Sequence, residues 1–273
     1  CGASPAAAPA TLMLVAHVEQ AGVWSVAGGM AALAQALAAR AEQAGAVLRY
    51  GARVERLLHA HGRVAGVQLG AEAGGERLAA DAVVYNGDVS MLRRLLPPEV
   101  AGAAPAPLSA VTWAMHVRTR GFPLARHNVF FDDDPASEFD DIFRARRLPG
   151  HGTVYLCAQD RHHDGAPAPA GRERLLALVN APAEGDRRAF GPTEIDPCQM
   201  RCLALLRASG LTLELSAPAR QVACRTPADY ERLHPGSGGA LYGAATHGWM
   251  SLFRRSGAST RLPGLYLAGG SVH

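Results

Sequence analysis

The sequence predicts an α/β fold: part of a parallel-sheet domain, with a second sheet-plus-helix domain inserted into it. Three observations predict this. Residues from about Gly28 to Leu96 read helix, strand, small antiparallel meander, strand, helix. After Pro97-Pro98 the pattern changes to longer strand-like runs separated by helix-like ones. The chain then closes on a short apolar run, Leu265–Ala268, followed by Gly269-Gly270. A buried parallel strand is a short continuous apolar run, and a parallel sheet interrupted by a meander is an arrangement that binds nucleotides.

Cys1–Ala10 is rich in Pro and Ala, and Thr11–Val18 is short and apolar. Gly22-Val23-Trp24 leads to Gly28-Gly29-Met30. From there Met30, Leu33, Ala34, Leu37, Ala38 and Ala41 recur at helical spacing and form one apolar face, and Gly45 ends the helix. Ala46–Tyr50 reads as a strand. Val54–His59 and Arg63–Leu69 flank His61-Gly62, a hairpin turn, and Glu76–Ala79 completes the meander. Asp81–Tyr85 is a buried strand ending at Asn86-Gly87-Asp88. Asp88 is placed to cap a helix over Val89–Leu96, which Pro97-Pro98 stops.

Ala101–Pro107 is a linker. Leu108–Arg118, Asn128–Phe131, Thr153–Cys157, Leu175–Asn180 and the long run Leu213–Cys224 are strand-like. Pro135–Arg147 and Pro192–Ala208 are helix-like. Gly165–Gly171 reads as an exposed loop, and Ser237–His273 returns to glycine-rich loops and the closing strand.

Composition excludes several classes. The 273 residues are enough for one large domain or two modest ones. No apolar run reaches the roughly 20 residues that span a bilayer. All the basic residues are arginine, and 27 of them against 24 acidic residues leave no excess on the scale of nucleic-acid binding. The five cysteines form no C-x-x-C pair, which suggests reduced, mostly buried thiols in the cytoplasm and no metal site. Asp132-Asp133-Asp134 and Asp140-Asp141 lack the spacing of a calcium loop, and the first reads as a turn and helix cap. Arg161-His162-His163-Asp164 is either a metal or acid/base cluster or, on its loop composition, a solvated turn. No Ser/His/Asp set or paired carboxylates point to hydrolysis.

The positive signals are glycines. Gly269-Gly270-Ser271 has the order strand, glycine pair, helix cap, which aims free N–H groups at a phosphate. Gly28-Gly29 before a helix either lines a cofactor or forms a plain turn. His247, in Thr246-His247-Gly248-Trp249, either touches substrate or is hydrogen-bonded in a packed loop.

Taken together, Gly22-Val23-Trp24, Gly28-Gly29-Met30, Ala80–Asp88 and Pro263–His273 resemble the phytoene desaturase family of flavin-dependent carotenoid desaturases, over essentially the whole chain and in order. Within it, the loop Gly238–Trp249 resembles the hydroxyneurosporene (methoxyneurosporene) desaturase branch. The resemblance implies a Rossmann-like FAD-binding domain of the amine-oxidase type, present in part, with an inserted substrate domain. Residues 1–27 would end a substrate-domain segment, 28–97 belong to the FAD domain, 98–236 form the substrate or cap domain, and 237–273 return to the FAD domain. By position, the resemblance implies FAD contacts at Gly269, Gly270, Ser271, Val54, Asn86, Gly87, Gly28, Gly29 and Met30. It places His247 near the hydroxyl end of an acyclic carotenoid, the expected substrate.

A lipid-borne substrate implies peripheral contact with the inner face of a membrane, and Phe143–Leu148 is either that contact or an ordinary exposed helix end. The rival expectations are a carotenoid isomerase or other amine-oxidase-like flavoprotein, and a non-catalytic carotenoid-binding module. The G-x-G-x-x-G fingerprint and the family's Pro-Gly-rich continuation are both absent. The expectation is therefore a fragment of a longer enzyme, inactive alone.

Overall fold

The structure, a computed structural model, describes residues 4, 8–10, 13–96, 108–161, 170–214, 222–241, 257–270 and 272. Helix α1 (Met13–Glu19) precedes α2 (Met30–Gln43). Then come the meander strands β1 (Val54–Ala60), β2 (Arg63–Leu69) and β3 (Arg77–Ala79), and β4 (Val83–Tyr85) followed by α3 (Val89–Leu95). The inserted domain contains β5 (Leu108–Gly121), β6 (His127–Phe130), α4 (Pro135–Asp140), β7 (Val154–Ala158), β8 (Glu173–Pro182), α5 (Pro192–Ala208), β9 (Leu211–Glu214), β10 (Val222–Arg225) and α6 (Pro227–Leu233). Strand β11 (Leu265–Leu267) closes the chain.

The meander is antiparallel, in the order β1-β2-β3. His61 and Gly62 both have positive φ, the geometry of a tight hairpin turn. Strands β4 and β11 pair in parallel, with Leu265 opposite Val83 and Leu267 opposite Tyr85. The turn before β11 docks onto the meander: Val64 N–H donates to Pro263 O at 2.9 Å, and Val83 N–H donates to Gly264 O at 2.8 Å. Gly264 has φ +83°, and a Cβ there would meet Val64 Cγ1 at 2.8 Å and Asp81 O at 3.0 Å. Glycine is thus required at this joint. Leu57, Val64, Leu92, Leu96, Leu265 and Leu267 share one small core. The first block and the last strand share this core despite their separation in sequence.

The inserted domain is a six-stranded sheet in the order β10-β5-β8-β7-β6, with β9 also paired to β5. All its pairings are antiparallel. On β5, Val111, Trp113, Met115 and Val117 point inward at strand period and are buried. Helix α5 lays Ile195, Cys198, Cys202 and Leu206 against the same core at helical spacing. A carboxylate inside this domain is fully satisfied: buried Glu138 accepts from Thr153 N–H (3.0 Å), Thr153 Oγ1 (2.8 Å) and Asn180 Nδ2 (2.7 Å).

Several expectations differ from the structure. Residues 46–50 form no strand, and Val47 and Tyr50 stand 84% and 83% exposed. A strand exists only through its ladder partner, and none lies beside this segment among the described residues. Of the long run expected over Leu213–Cys224, the described residues form the end of β9 and the start of β10, and residues 215–221 lie outside the described residues. β9 pairs with β5 at residues 118–121 and β10 pairs with it at 112–115. Helix α2 forms as its periodicity predicts, but its apolar stripe is bare: Met30 and Leu37 are 69% and 63% exposed. The helix-like stretch 135–147 splits into α4, capped by Asp134 Oδ1 accepting from Ser137 N–H, and a π-helical turn over Asp141–Ala145. In that stretch Arg144, Arg146 and Arg147 pair with Asp140, Glu184 and Asp141. Its positive charge is balanced by these pairs. No helix among the described residues is long and apolar enough to cross a membrane.

Candidate cofactor cleft

A cleft of about 480 Å³ opens where the meander, β4, α3 and the end of α6 meet. Its walls are apolar: Val54 and Leu57 from β1, Val67 from β2, Val83 and Val84 from β4, Met91 and Leu95 from α3. Its polar lining is small. Asn86 sits at the end of β4, Tyr85 beside it, Arg53 on the meander lip and Arg232 on the α6 lip, with Leu233 and Pro235 next to it. Two guanidiniums and no carboxylate line this space, so it favours an anion-bearing ligand. Its volume falls within the roughly 300–1,000 Å³ usual for ligand pockets.

Local sequence explains each position. Parallel pairing ends at Leu267–Tyr85, where Ala268 N–H still donates to Tyr85 O at 3.0 Å. The chain then turns at Gly269, whose φ is +118°. A Cβ there would lie 2.7 Å from Asn86 Oδ1, and the positive φ itself favours glycine at this approach of the two strand ends. Gly270 meets nothing within 4 Å and faces open space. Gly87 is held close by its neighbour: a Cβ on it would meet the Tyr85 hydroxyl at 2.4 Å, and that hydroxyl donates to Asp88 O at 3.0 Å. Burial, and then the charge of Asp88, push the Tyr85 phenol above its ordinary value.

The lip from α6 is anchored. Thr226 caps the helix and donates to Asp229 Oδ2 through its N–H (2.7 Å) and its hydroxyl (2.8 Å). Burial opposes ionisation of Asp229, but these bonds and the charge of Arg232 hold its carboxyl below the usual range. Arg232 pairs with Asp229 and still reaches the cleft. Beyond α6 the chain is fixed again: Gly239 O accepts from Ser109 Oγ, and a Cβ on Gly239 would lie 2.0 Å from Pro227 O. Residues 242–250, with His247, lie outside the described residues, as do Ser271 and the helix expected after it.

Of the positions singled out in the sequence, Val54 and Asn86 line one cleft, Gly269 touches Asn86, and Gly87 adjoins it. Gly28, Gly29 and Met30 do not line it. Gly28 and Gly29 both have φ +80°, Gly29 N–H donates to Val26 O, and Met30 is exposed at the start of α2. This is the geometry of a helix-entry turn. Sequence reasoning missed Arg53, Arg232 and the α3 wall of Met91 and Leu95. Helix α6 was missed as well, and no sequence signal carries Arg232 across to Asn86.

The Arg161-His162-His163-Asp164 cluster resolves in part. Arg161 is committed to a buried pair with Glu173 at 2.8 Å and donates to Leu124 O, while residues 162–164 lie outside the described set. Among the described residues no group of His, Cys, Asp and Glu is placed to hold a metal ion.

The chain is 59% identical to the hydroxyneurosporene desaturase of Rubrivivax gelatinosus, an alignment covering 100% of this chain and 52% of that protein. It is 40% identical to the hydroxyneurosporene desaturase of Cereibacter sphaeroides, covering 100% of this chain and 54% of the relative. The chain thus spans about half the length of the curated relatives it matches. In fold it is similar to an oxidoreductase from Methanosarcina mazei, with TM-score 0.50, 15% identity, and coverage of 90% of this chain and 50% of that one. The profile of the flavin containing amine oxidoreductases matches residues 7–273, and the chain belongs to that family.

Proposed function

We propose that this chain forms part of an FAD-dependent desaturase acting on an acyclic, hydroxylated or methoxylated carotenoid in carotenoid biosynthesis. Family membership implies FAD as the cofactor, and the residues present fit its nucleotide portion. The single observation that carries the reading is the cleft that joins Val54, Asn86, Arg53 and Arg232, with Gly269 packed against Asn86. The apolar wall of Leu57, Val67, Val83, Met91 and Leu95 offers a dry face to a flat ring, and the two arginines offer charge to phosphate. When bound, the flavin supplies hydride acceptance. The chain's own residues hold the nucleotide, let the backbone approach it at Gly269, and exclude water from it.

The substrate class comes from the two relatives' names, which are said of those proteins. Exposure of lipid-borne substrate to the enzyme supports peripheral membrane contact on the cytoplasmic side, a reading tested by co-sedimentation with vesicles.

The test is product analysis. The full-length protein, supplied with a hydroxylated acyclic carotenoid and an electron acceptor, is expected to yield a product lacking a pair of hydrogens and absorbing at longer wavelength. A product of unchanged mass with a shifted spectrum would make it an isomerase. Tight carotenoid binding with no flavin absorbance would make it a non-catalytic binding module.

A further inference from the structure

Most of the cleft wall comes from the meander, β4 and α3. The remainder comes from the end of α6 and the turn after it, through Arg232, Leu233 and Pro235. A single side chain closes that turn. Half-buried Glu231 accepts from Gly238 N–H at 2.8 Å through one carboxylate oxygen and from Gly236 N–H through the other. The three cleft-lining residues lie within the loop that these bonds close. The turn is also tied to the inserted domain. Buried Ser237 donates from its hydroxyl to His234 O at 2.7 Å and accepts from Gly239 N–H at 3.1 Å. Gly185 N–H donates to Gly238 O at 2.8 Å, and Leu241 N–H donates to Leu108 O at 3.0 Å. Helix α6 itself is seated on β5, where Tyr230 Oη meets Thr112 Oγ1 at 2.7 Å.

We propose that Glu231 is a positioning residue for the cofactor, holding the turn after α6 in the shape that presents Arg232 to the ligand's phosphates. This rests on the reading of the cleft as the site for the nucleotide portion of FAD. Asp229 holds the Arg232 guanidinium, and Glu231 holds the backbone around it. Bonds from backbone N–H groups to a carboxylate are charge-assisted and strong, so two of them make the closure stiff. A lip already in its bound shape loses less freedom when the ligand arrives, and a residue can raise affinity in this way without touching the ligand. The task is specific to a carboxylate. Glutamine offers one acceptor oxygen, and its amide would set N–H against N–H at the second glycine.

The experiment uses the full-length protein, stripped of flavin, with FAD and ADP as probes. Glu231→Gln, Arg232→Ala and the double variant are compared with the unaltered protein. Affinity is measured by equilibrium dialysis at two ionic strengths, and amide hydrogen exchange is followed in the peptide spanning 234–240. The expected result is faster exchange in Glu231→Gln, FAD affinity lower by about tenfold with a weaker salt dependence, and no more loss in the double variant than in Arg232→Ala alone. Glu231→Asp, one methylene shorter with the same charge, is read in the same way if Glu231→Gln does not fold. Unchanged exchange overturns the clamp. Faster exchange with unchanged FAD affinity, or losses that add in the double variant, overturns the positioning role and leaves Glu231 a structural residue. Exclusion of FAD from the unaltered protein, with ADP bound and following the same cycle, overturns the flavin reading and leaves the positioning role standing. Binding of neither probe overturns both.

Discussion

Gly269 and Asn86 meet where the closing strand and β4 end together, and a methyl group on Gly269 would lie 2.7 Å from the Asn86 side-chain oxygen. The two residues come from distant parts of the chain, and their contact fixes one end of the cleft. Gly269 also has φ +118°, a conformation that side-chain-bearing residues rarely adopt. Gly269→Val is therefore expected to destabilise the protein by about 1–3 kcal/mol and to weaken flavin retention. Thermal unfolding and the ratio of flavin to protein absorbance check this. Gly270→Ala, with open space around it, is the control and should leave the fold intact.

Arg53 and Arg232 approach the cleft from two different elements. Arg232 is largely exposed, so its pair with Asp229 contributes little to stability. Substituting either by alanine should leave the melting temperature nearly unchanged. Flavin affinity should fall about tenfold for each, as expected for a lost charge-assisted bond to phosphate. The salt dependence of flavin binding should fall with it. Equilibrium dialysis at two ionic strengths measures both.

Glu173 and Arg161 form a deeply buried ion pair in the inserted domain, with side chains 3% and 11% exposed. Burial opposes ionisation of Glu173, but Arg161 and the Thr119 hydroxyl hold its carboxyl below the usual range. A depressed carboxyl contributes stability that is present above its unfolded value and lost as pH falls through the folded one. Stability is therefore expected to decline in acid, below the ordinary glutamate range. Arg161→Ala leaves a buried carboxylate unpaired and should cost about 3–5 kcal/mol at neutral pH. In that variant the remaining stability should depend on pH with a weaker acid loss. Urea unfolding between neutral and acid pH tests the sign.

Cys198 and Cys202 lie on the buried face of α5. Burial pushes their thiols up, to about 11 for Cys198 and about 12 for Cys202. Neither forms an appreciable thiolate near neutral pH, and the thiolate is the reactive form. Alkylation of the native protein at neutral pH is expected to spare both, and denaturant should expose both. Peptide mass mapping of labelled protein distinguishes the outcomes. Labelling of either in the native state would contradict the α5 packing.

Much of this architecture was legible locally. The His61-Gly62 turn, the helical period from Met30 to Ala41 and the closing apolar run each carry their own signal, because turn chemistry and side-chain period act over a few residues. What was not legible depends on partners. Ala46–Tyr50 has strand composition but no ladder beside it among the described residues. The apolar face of α2 was readable, but its exposure was not. The glycine at 269 announced a close approach, and the structure identifies Asn86 as what it approaches. Arg232 gave no sign of its role, because only the tertiary fold brings the end of α6 to the cleft.

The most direct test of the shared cleft is a crystal structure of the flavin-loaded, full-length protein. The account predicts the nucleotide end of FAD against Val54 and Asn86, with its phosphates within reach of Arg53 or Arg232. Flavin bound elsewhere, with this cleft filled by protein side chains, would contradict it.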